Sequence, residues 1–176
     1  MLTLMLLRHA KSNWDDPGLD DFDRPLGPRG LDAAPRMGQH IAATLQAPGL
    51  VLCSGSARTR ETLKLVLPHL APKPDIVFED ELYLASASEL LSRLLRVPRA
   101  KSRVMMIGHN PGFHDFAVAL TASGEAHLRA NLAAKFPTAA LAVLTFKGEA
   151  WSKIEPGRGT LTHFAMPSQL QQGHTA

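Results

Sequence analysis

Short apolar runs alternate along this chain with longer segments in which apolar residues recur every three or four positions. Residues 50–53 are Leu-Val-Leu-Cys and residues 104–107 are Val-Met-Met-Ile. Strands that are apolar on both faces are typical of a parallel sheet covered by helices on both sides. We predict strands at 2–7, 50–53, 76–78, 104–107, 141–146 and 161–165, and helices at 28–45, 57–70, 88–97 and 111–121. The expected fold is a three-layer α/β/α sandwich with a mostly parallel central sheet.

The size and charge of the chain restrict its class. With 176 residues, 45% of them hydrophobic, it can bury one core of ordinary size. The run Leu2–Leu7 lacks a basic leader and is too short to span a bilayer, so we interpret it as a buried strand. The formal charge of +3 includes no long Lys/Arg run, so we expect neither a nucleic-acid partner nor a membrane partner. A cytoplasmic monomer is expected.

The domain organisation is simple. No internal repeat or linker divides the chain, so residues 1–168 are predicted to form one domain and residues 169–176 a C-terminal tail. Cys53 is the single cysteine and cannot form an intrachain disulfide, which fits a reducing compartment. It also excludes zinc sites built from several cysteines.

Polar residues follow three of the predicted strands at the points where the strands end. Arg8 and His9 close the first strand, Ser54 closes the second just before Arg58, and Gly108-His109-Asn110 closes the fourth. In open parallel sheets, ligands bind outside the carboxyl ends of the strands. We therefore expect these groups, far apart in sequence, to meet at one edge of the sheet.

The arginines and histidines of these groups indicate phosphoryl transfer. This reaction needs a nucleophile, in-line placement and positive charge around the phosphate oxygens. Arg8 and Arg58 can each bind two phosphate oxygens through a planar guanidinium group that stays charged. A neutral imidazole, from His9 or His109, is nucleophilic near neutral pH. The helix that follows Ser54 could add backbone N–H donors.

Three separated motifs resemble those of the histidine phosphatase superfamily. Leu7-Arg8-His9-Ala10-Lys11-Ser12 resembles its Arg-His-Gly signature, which is often Arg-His-Ala. Residues 54–62 match Ser-x-x-x-Arg-x-x-x-Thr, and Gly108-His109-Asn110-Pro111 matches the third signature. The stretch Asp-x-x-Arg-Pro-Leu-x-x-Arg-Gly at 21–30 and the short chain are similar to the SixA branch, the phosphohistidine phosphatases. The resemblance implies a phosphoglycerate mutase-like fold, and no insertion between the second and fourth strands is long enough for a cap domain.

The resemblance also implies a role for each matching residue. His9 would attack phosphorus and carry the phosphoryl group until water hydrolyses it. Arg8 and Arg58 would clamp the phosphate oxygens, and His109 would stabilise the transferring group, either protonated or as a donor. No metal or other cofactor is expected, because these residues replace the charge of a metal ion. Further substrate-binding candidates are Arg24, from the loop after the first strand, Ser12 and Asn110.

Two positions depart from the pattern of larger family members. An asparagine that contacts phosphate in many of them corresponds to Asp15, an acid that would repel phosphate. Their general acid is a glutamate, for which Glu81 and Asp80 are the candidates here. An acid matters less when the leaving group is imidazole, because the P–N bond is labile. These departures favour phosphohistidine in a protein as the substrate.

Two alternatives stay open. A phosphatase for small phosphate esters would need an acid that protonates the alkoxide, and a phosphate-binding module would show no turnover. A mutase would need a donor phosphate and a second binding site. The expected partner is accordingly a phosphorylated protein or a small phosphorylated molecule. The charged residues that we interpret as structural or solvated are Arg60, His40, His69, His114 and His163.

Overall fold

A computed structural model describes residues 1–170 of the chain. Seven strands form one sheet in this part of the chain, and five α-helices cover it. The strands are β1 (Leu2–Arg8), β2 (Leu50–Ser54), β3 (Asp75–Glu79), β4 (Arg103–Gly108), β5 (Thr121–Gly124), β6 (Leu141–Phe146) and β7 (Gly159–Ala165). The helices are α1 (Pro28–Thr44), α2 (Ala57–Val66), α3 (Ala87–Leu95), α4 (Gly112–Leu120) and α5 (Ala126–Ala134).

The sheet has the strand order β3-β2-β4-β1-β6-β7-β5. Only β6 runs antiparallel to its neighbours β1 and β7, whereas the other pairings are parallel. The prediction of a mostly parallel sheet between two helical layers is confirmed. Between β2 and β4 the chain forms two α-helices, one strand and short 3₁₀ turns, so no cap domain is inserted there.

Each central strand packs one core on each face of the sheet. In β1, Leu4 and Leu6 face a core that includes Leu90 of α3 and Phe116 of α4. The alternate residue Met5 faces a second core that α1 and α2 cover through Met37, Ile41, Leu63 and Val66. Because alternate side chains point to opposite faces, both must be apolar in a strand covered twice. This explains the continuous apolar runs of the sequence.

Helix α2 is shorter than predicted. It ends at Val66, and residues Leu67–His69 form a 3₁₀ turn. Pro68 has no N–H to donate to the carbonyl four residues earlier, so it cannot continue the α-helical hydrogen bonding. The predicted helix over 57–70 is therefore corrected to ten α-helical residues followed by one tighter turn.

Two elements after α4 were not predicted. Strand β5 is a four-residue edge strand on β7 with a register shift, too short for a period-2 pattern to be visible. Helix α5 buries only Leu132 fully, so its apolar residues do not form the stripe by which helices are recognised. No helix within residues 1–170 is long and apolar enough to cross a membrane.

The C-terminal part of the described chain packs on the domain. Residues Pro167–Gln169 form a 3₁₀ turn, and the partly buried Leu170 contacts the core under α1 and α2. Gln169 and Leu170 are the first two residues of the predicted tail. Gln169 lies in this turn, and Leu170 makes this contact. The remainder of that predicted tail, 171–176, lies outside the described residues.

Candidate active site

The pairing register of the sheet places two histidines side by side. Arg8 of β1 pairs with Gly108 of β4, so His9 and His109 are the next residues on two adjacent parallel strands. The backbone N–H of His9 donates to the carbonyl of Gly108 at 3.0 Å. The two imidazole rings lie 5.3 Å apart between centroids, and both residues are more than 90% buried. The predicted meeting of the strand ends is thus present in the structure.

A backbone contact fixes the tautomer of His9. Its Nδ1 lies 2.7 Å from the carbonyl oxygen of Ala10, and a carbonyl only accepts, so Nδ1 carries the proton. Burial, together with the charges of Arg58 and Arg8, lowers the pKa of His9 to about 4. The hydrogen bond to Ala10 opposes these effects. At neutral pH His9 therefore presents an unprotonated Nε2, which is the nucleophilic form of the ring.

The second histidine is neutral as well. Burial lowers the pKa of His109 to about 3, and the neighbouring His9 and Arg58 add to this effect. Nε2 of His109 lies 2.8 Å from the hydroxyl of Ser54. In the tautomer in which that hydroxyl donates, the ring proton lies on Nδ1, which is buried and has no partner among the described residues. In the free chain the lowered pKa of His109 favours the neutral ring, and its role towards the transferring group stays a prediction.

Two arginines flank the histidines. Arg8 donates from Nη1 to the carbonyl of Phe136 at 3.0 Å, and Asn110 donates from Nδ2 to the same oxygen at 2.8 Å. Burial, followed by the charge of Arg58, lowers the pKa of Arg8. Two guanidinium groups close enough to influence each other give strong positive potential, which a phosphate would compensate.

Two residues that the sequence did not assign complete the surroundings of Arg58. Its Nη1 donates to the backbone carbonyl of Asp21 at 2.6 Å, and its Nη2 to Oδ2 of the same residue at 3.0 Å. The hydroxyl of Tyr83 donates to that Oδ2 as well. Asp21 is the first residue of the Asp-x-x-Arg-Pro-Leu stretch, so the sequence contained a signal. Tyr83 lies two residues after the candidate acid Glu81, and its contact with Asp21 spans 62 positions.

The hydrogen bonds within the site explain the spacing of the second motif. Ser54 ends β2 and contacts His109, whereas Arg58 and Thr62 lie one helical turn apart on α2. The hydroxyl of Thr62 accepts from the backbone N–H of Ala10 at 3.0 Å and donates to the carbonyl of Arg58 at 2.7 Å. Ser54 thus contacts His109, and Thr62 holds the backbone after His9. Arg58 lies between them in the sequence, on the helix, where it is predicted to bind phosphate.

The loop between β1 and α1 is braced from inside by Arg24. Its guanidinium group donates to the carbonyls of Asn13, Asp16 and Leu19, and it lies 4.1 Å from the centre of the Trp14 ring. These contacts hold the loop that carries Asp21. Substrate contact by Arg24 therefore stays a prediction.

The other loop candidates lie at different depths. Ser12 is buried at the base of the loop, where its backbone pairs with Leu26. Asp15 is exposed, and its backbone N–H donates to the side chain of Asn13. The contact of Ser12 with a substrate stays a prediction, and so does the repulsion of phosphate by Asp15.

The candidate acids lie beside the histidine pair and not within it. Asp80 and Glu81 are exposed and line a surface groove of about 780 Å³ together with Arg60 and Phe78. Asp80 approaches Gly55 so closely that a side chain on that glycine would overlap its carboxylate. Among the described residues, neither carboxylate hydrogen-bonds to His9, Arg58 or His109. Arg60 donates to the carbonyl of Gly55 and stacks on Phe78, which agrees with a structural role.

Two other histidines have hydrogen-bond partners that do not belong to the histidine pair or its arginines. His114 is bound to the carbonyl of Leu132, and His163 contacts its neighbour Thr162. Within the described part of the chain, no group of three or more His, Cys, Asp or Glu side chains is arranged to hold a metal ion.

Comparisons with known proteins agree with this geometry. The family model of the histidine phosphatase superfamily (branch 1) matches residues 4–83. An uncharacterized protein of Mycobacterium tuberculosis is 35% identical over 163 residues, which cover 92% of this chain and 99% of the relative.

Two solved structures are similar over nearly their whole length. One is a candidate phosphohistidine phosphatase SixA from Nakamurella multipartitia, 30% identical, with a TM-score of 0.82 over 94% of this chain and 96% of that one. The other is a candidate SixA from Agrobacterium tumefaciens, 33% identical, with a TM-score of 0.79 over 94% and 98% of the two chains. The buried histidine pair, the two arginines and these similarities show that the chain belongs to the histidine phosphatase superfamily and is a SixA-like phosphatase.

Proposed function

We propose that this enzyme removes the phosphoryl group from phosphohistidine in proteins. The similarity to the two candidate phosphohistidine phosphatases supports this substrate. The observation that carries the proposal is the state of Asp21, the carboxyl group hydrogen-bonded inside the site. The hydrogen bond from Tyr83 holds the pKa of Asp21 below its usual value despite partial burial, and Arg58 lowers it further. Asp21 is therefore ionised at neutral pH and has no proton for a leaving group.

The catalytic cycle uses the arrangement of the two histidines. Nε2 of His9 attacks phosphorus while Arg8 and Arg58 bind the phosphate oxygens. The Nδ1–H of His109 donates to the transferring group. Phosphorylated His9 keeps its proton on Nδ1, where the carbonyl of Ala10 stabilises the resulting imidazolium. Water then attacks phosphorus, the N–P bond breaks, and His9 is restored as the neutral ring with Nε2 free.

The leaving group decides between the substrate classes. An alkoxide must take up a proton as it departs, and enzymes for esters supply it from a positioned acid. An imidazole that is protonated on its other nitrogen departs as a neutral molecule and needs no acid. An ionised Asp21 is thus compatible with phosphohistidine and unsuited to protonating an alkoxide. Asp80 or Glu81 acting as an acid for small esters is the competing hypothesis.

The nucleophile is tested by trapping the intermediate. We expect acid-labile, base-stable phosphate on His9 after rapid quench of the enzyme with a phosphohistidine peptide. His9→Ala should abolish both the trapped phosphate and hydrolysis while the circular dichroism spectrum stays unchanged. His127→Ala is the matched control, because the His127 side chain is 68% exposed and lies outside the site. Hydrolysis that survives His9→Ala would show that the nucleophile is a different residue.

The substrate class is tested by comparing kcat/KM. The substrates are a histidine peptide phosphorylated with phosphoramidate, p-nitrophenyl phosphate and a panel of sugar phosphates. We expect the highest kcat/KM on the phosphohistidine peptide. A higher value on a sugar phosphate would assign the enzyme to small esters instead.

The cytoplasmic location and the monomeric state stay predictions of the sequence.

A further inference from the structure

The carboxylate of Asp21 stands at the open side of the histidine pair. Its side chain is 41% exposed, whereas the side chain of Arg58, to which it is bound, is 6% exposed. The Tyr83 hydroxyl donates to this carboxylate, and the Tyr83 ring lies 5.2 Å from the ring of His109, so Asp21 lies near the histidine pair. Oδ2 accepts from Arg58 and Tyr83, and Oδ1 accepts no hydrogen bond from the described residues. Oδ1 is thus an acceptor oxygen that no donor of the described residues occupies.

Aromatic rings surround this carboxylate. The ring of Tyr83 meets that of Phe22 edge-to-face at 5.0 Å and that of His109 edge-to-face at 5.2 Å. Phe22 follows Asp21 in the same 3₁₀ turn. The guanidinium group of Arg58 lies over the Tyr83 ring, 5.7 Å from its centre, so this ring and the carboxylate of Asp21 already pair with one flat cation. An imidazolium ring has this shape and charge.

Orienting Arg58 does not require this carboxylate. The backbone carbonyl of Asp21 already accepts from Nη1 of Arg58 at 2.6 Å. A negative charge at this position also repels an entering phosphate dianion, which is a cost for an enzyme that acts on esters. The cost is offset when the substrate brings a positive charge to the same place. A phosphorylated imidazolium does so, and a phosphate ester does not.

We propose that Asp21 accepts the N–H of the substrate imidazolium and thereby selects phosphohistidine over phosphate esters. This inference rests on the proposed function and assigns the part of the site that recognises the leaving group. The substrate ring is bound to phosphorus through one nitrogen, and its other nitrogen donates to Asp21. The contact makes the protonated, more reactive form of the substrate the one that binds.

The transfer step balances without moving a proton. The lone pair on Nε2 of His9 forms the new N–P bond. The old P–N bond breaks, and its electron pair stays on the substrate nitrogen, so the imidazolium leaves as neutral imidazole with its N–H still directed at Asp21. His9 becomes the imidazolium and directs its own Nδ1–H at the carbonyl of Ala10. The carboxylate of Asp21 therefore accepts the N–H of the leaving ring, and the carbonyl of Ala10 accepts the Nδ1–H of His9, on opposite sides of the transferred group.

The test is the change in substrate preference in Asp21→Asn. This substitution keeps the size of the side chain and removes its charge. We expect kcat/KM on the phosphohistidine peptide to fall about tenfold to a hundredfold, because a charge-assisted hydrogen bond is lost. On p-nitrophenyl phosphate, kcat/KM should fall by a clearly smaller factor, because that substrate offers no N–H to Asp21 and loses only the effect of this carboxylate on Arg58. Asp20→Asn is the matched control with the same change of charge at an exposed neighbour, and it should keep the wild-type ratio.

Equal losses on both substrates in Asp21→Asn would overturn the inference, because Asp21 would then act only through Arg58. An unchanged preference would overturn it as well. A loss of preference in Asp20→Asn equal to that in Asp21→Asn would assign the effect to general surface charge. Wild-type enzyme that hydrolyses esters but not the phosphohistidine peptide would overturn the proposed function itself, and this result is obtained before any variant is measured.

Discussion

The two imidazoles of the site are neutral because they are buried between two guanidinium groups. Protonating either ring would add a third positive charge in a place with little water, which opposes ionisation. The two guanidinium charges therefore favour binding of an anion between them. His9 keeps a lone pair for phosphorus and His109 keeps an N–H for a phosphate oxygen. Burial therefore keeps both rings neutral, and the hydrogen-bond partner of each ring determines which nitrogen carries the proton.

The lowered pKa values predict that acid destabilises the fold. Above pH 6.5 the rings are neutral in both the folded and the unfolded chain, and their full contribution to stability is present. As the pH falls from 6.5 towards 4, His9 and His109 become protonated in the unfolded chain but stay neutral in the folded chain. The free energy of unfolding should then drop by at most about 1.4 kcal/mol per pH unit for each ring.

Urea denaturation at steps between pH 7 and pH 4.5 measures this slope. His9→Gln has no imidazole that can be protonated in the unfolded chain. The fall in the free energy of unfolding per pH unit should therefore be smaller than in wild type by up to about 1.4 kcal/mol. His127→Gln, at an exposed position, should keep the wild-type slope. Equal slopes in wild type and His9→Gln would contradict the lowered pKa of His9.

Helix α2 connects the two halves of the site at the scale of secondary structure. Its residues Arg58 and Thr62 face the end of β1, and its Glu61 accepts from the backbone N–H of Leu26 at 2.6 Å. One helix therefore holds both ends of the loop that carries Asp21. A helix is suited to this task because residues four apart project from the same face on a rigid backbone.

Thr62→Val tests this connection. The substitution leaves the buried N–H of Ala10 without its acceptor, which should lower the free energy of unfolding by about 1–3 kcal/mol. It should also lower kcat, because the backbone next to His9 is held less firmly. Urea denaturation and steady-state kinetics measure the two effects. Thr44→Val, at the exposed end of α1, is the control and should change stability by less than about 0.5 kcal/mol. An unchanged kcat in Thr62→Val would show that this contact does not position His9.

At the scale of the whole molecule, the site exists only when the sheet is assembled. Its groups come from the ends of β1, β2 and β4, from α2, from the loop after β1 and from Phe136 before β6. A phosphate-like anion should therefore bind the folded chain and not the unfolded one, which raises stability by mass action. Binding and folding are thus linked in this enzyme.

Orthovanadate measures this linkage. At a concentration of about 100 times its Kd, it should stabilise the fold by about 2.7 kcal/mol, which corresponds to a rise in Tm of about 5–10 °C. Arg58→Ala should lose most of this rise. Arg60→Ala should keep it, because Arg60 binds Gly55 and Phe78 instead of facing the site. The same rise in Arg58→Ala as in wild type would show that the anion binds elsewhere.

The sequence by itself determined the layers of the fold and the grouping of Arg8, His9, Arg58 and His109. Apolar strands and amphipathic helices are local patterns, set by burial and by the backbone hydrogen bonds of nearby residues. The rule that parallel strands end at the same edge then brings distant residues together without any knowledge of side-chain contacts. The same local reasoning missed β5 and α5, whose residues bury too little surface to produce a pattern.

The tertiary structure decided how these residues are charged, held and surrounded. Whether His109 is protonated depends on its burial and on the charges beside it, which come from three different elements. Arg8 binds a carbonyl 128 positions away, and Tyr83 binds Asp21 across 62 positions. Such contacts arise from the paths of loops, which no periodic pattern specifies. The grouping of the two histidines and two arginines was therefore predictable from the sequence, whereas the free acceptor oxygen of Asp21 became visible only in the folded chain.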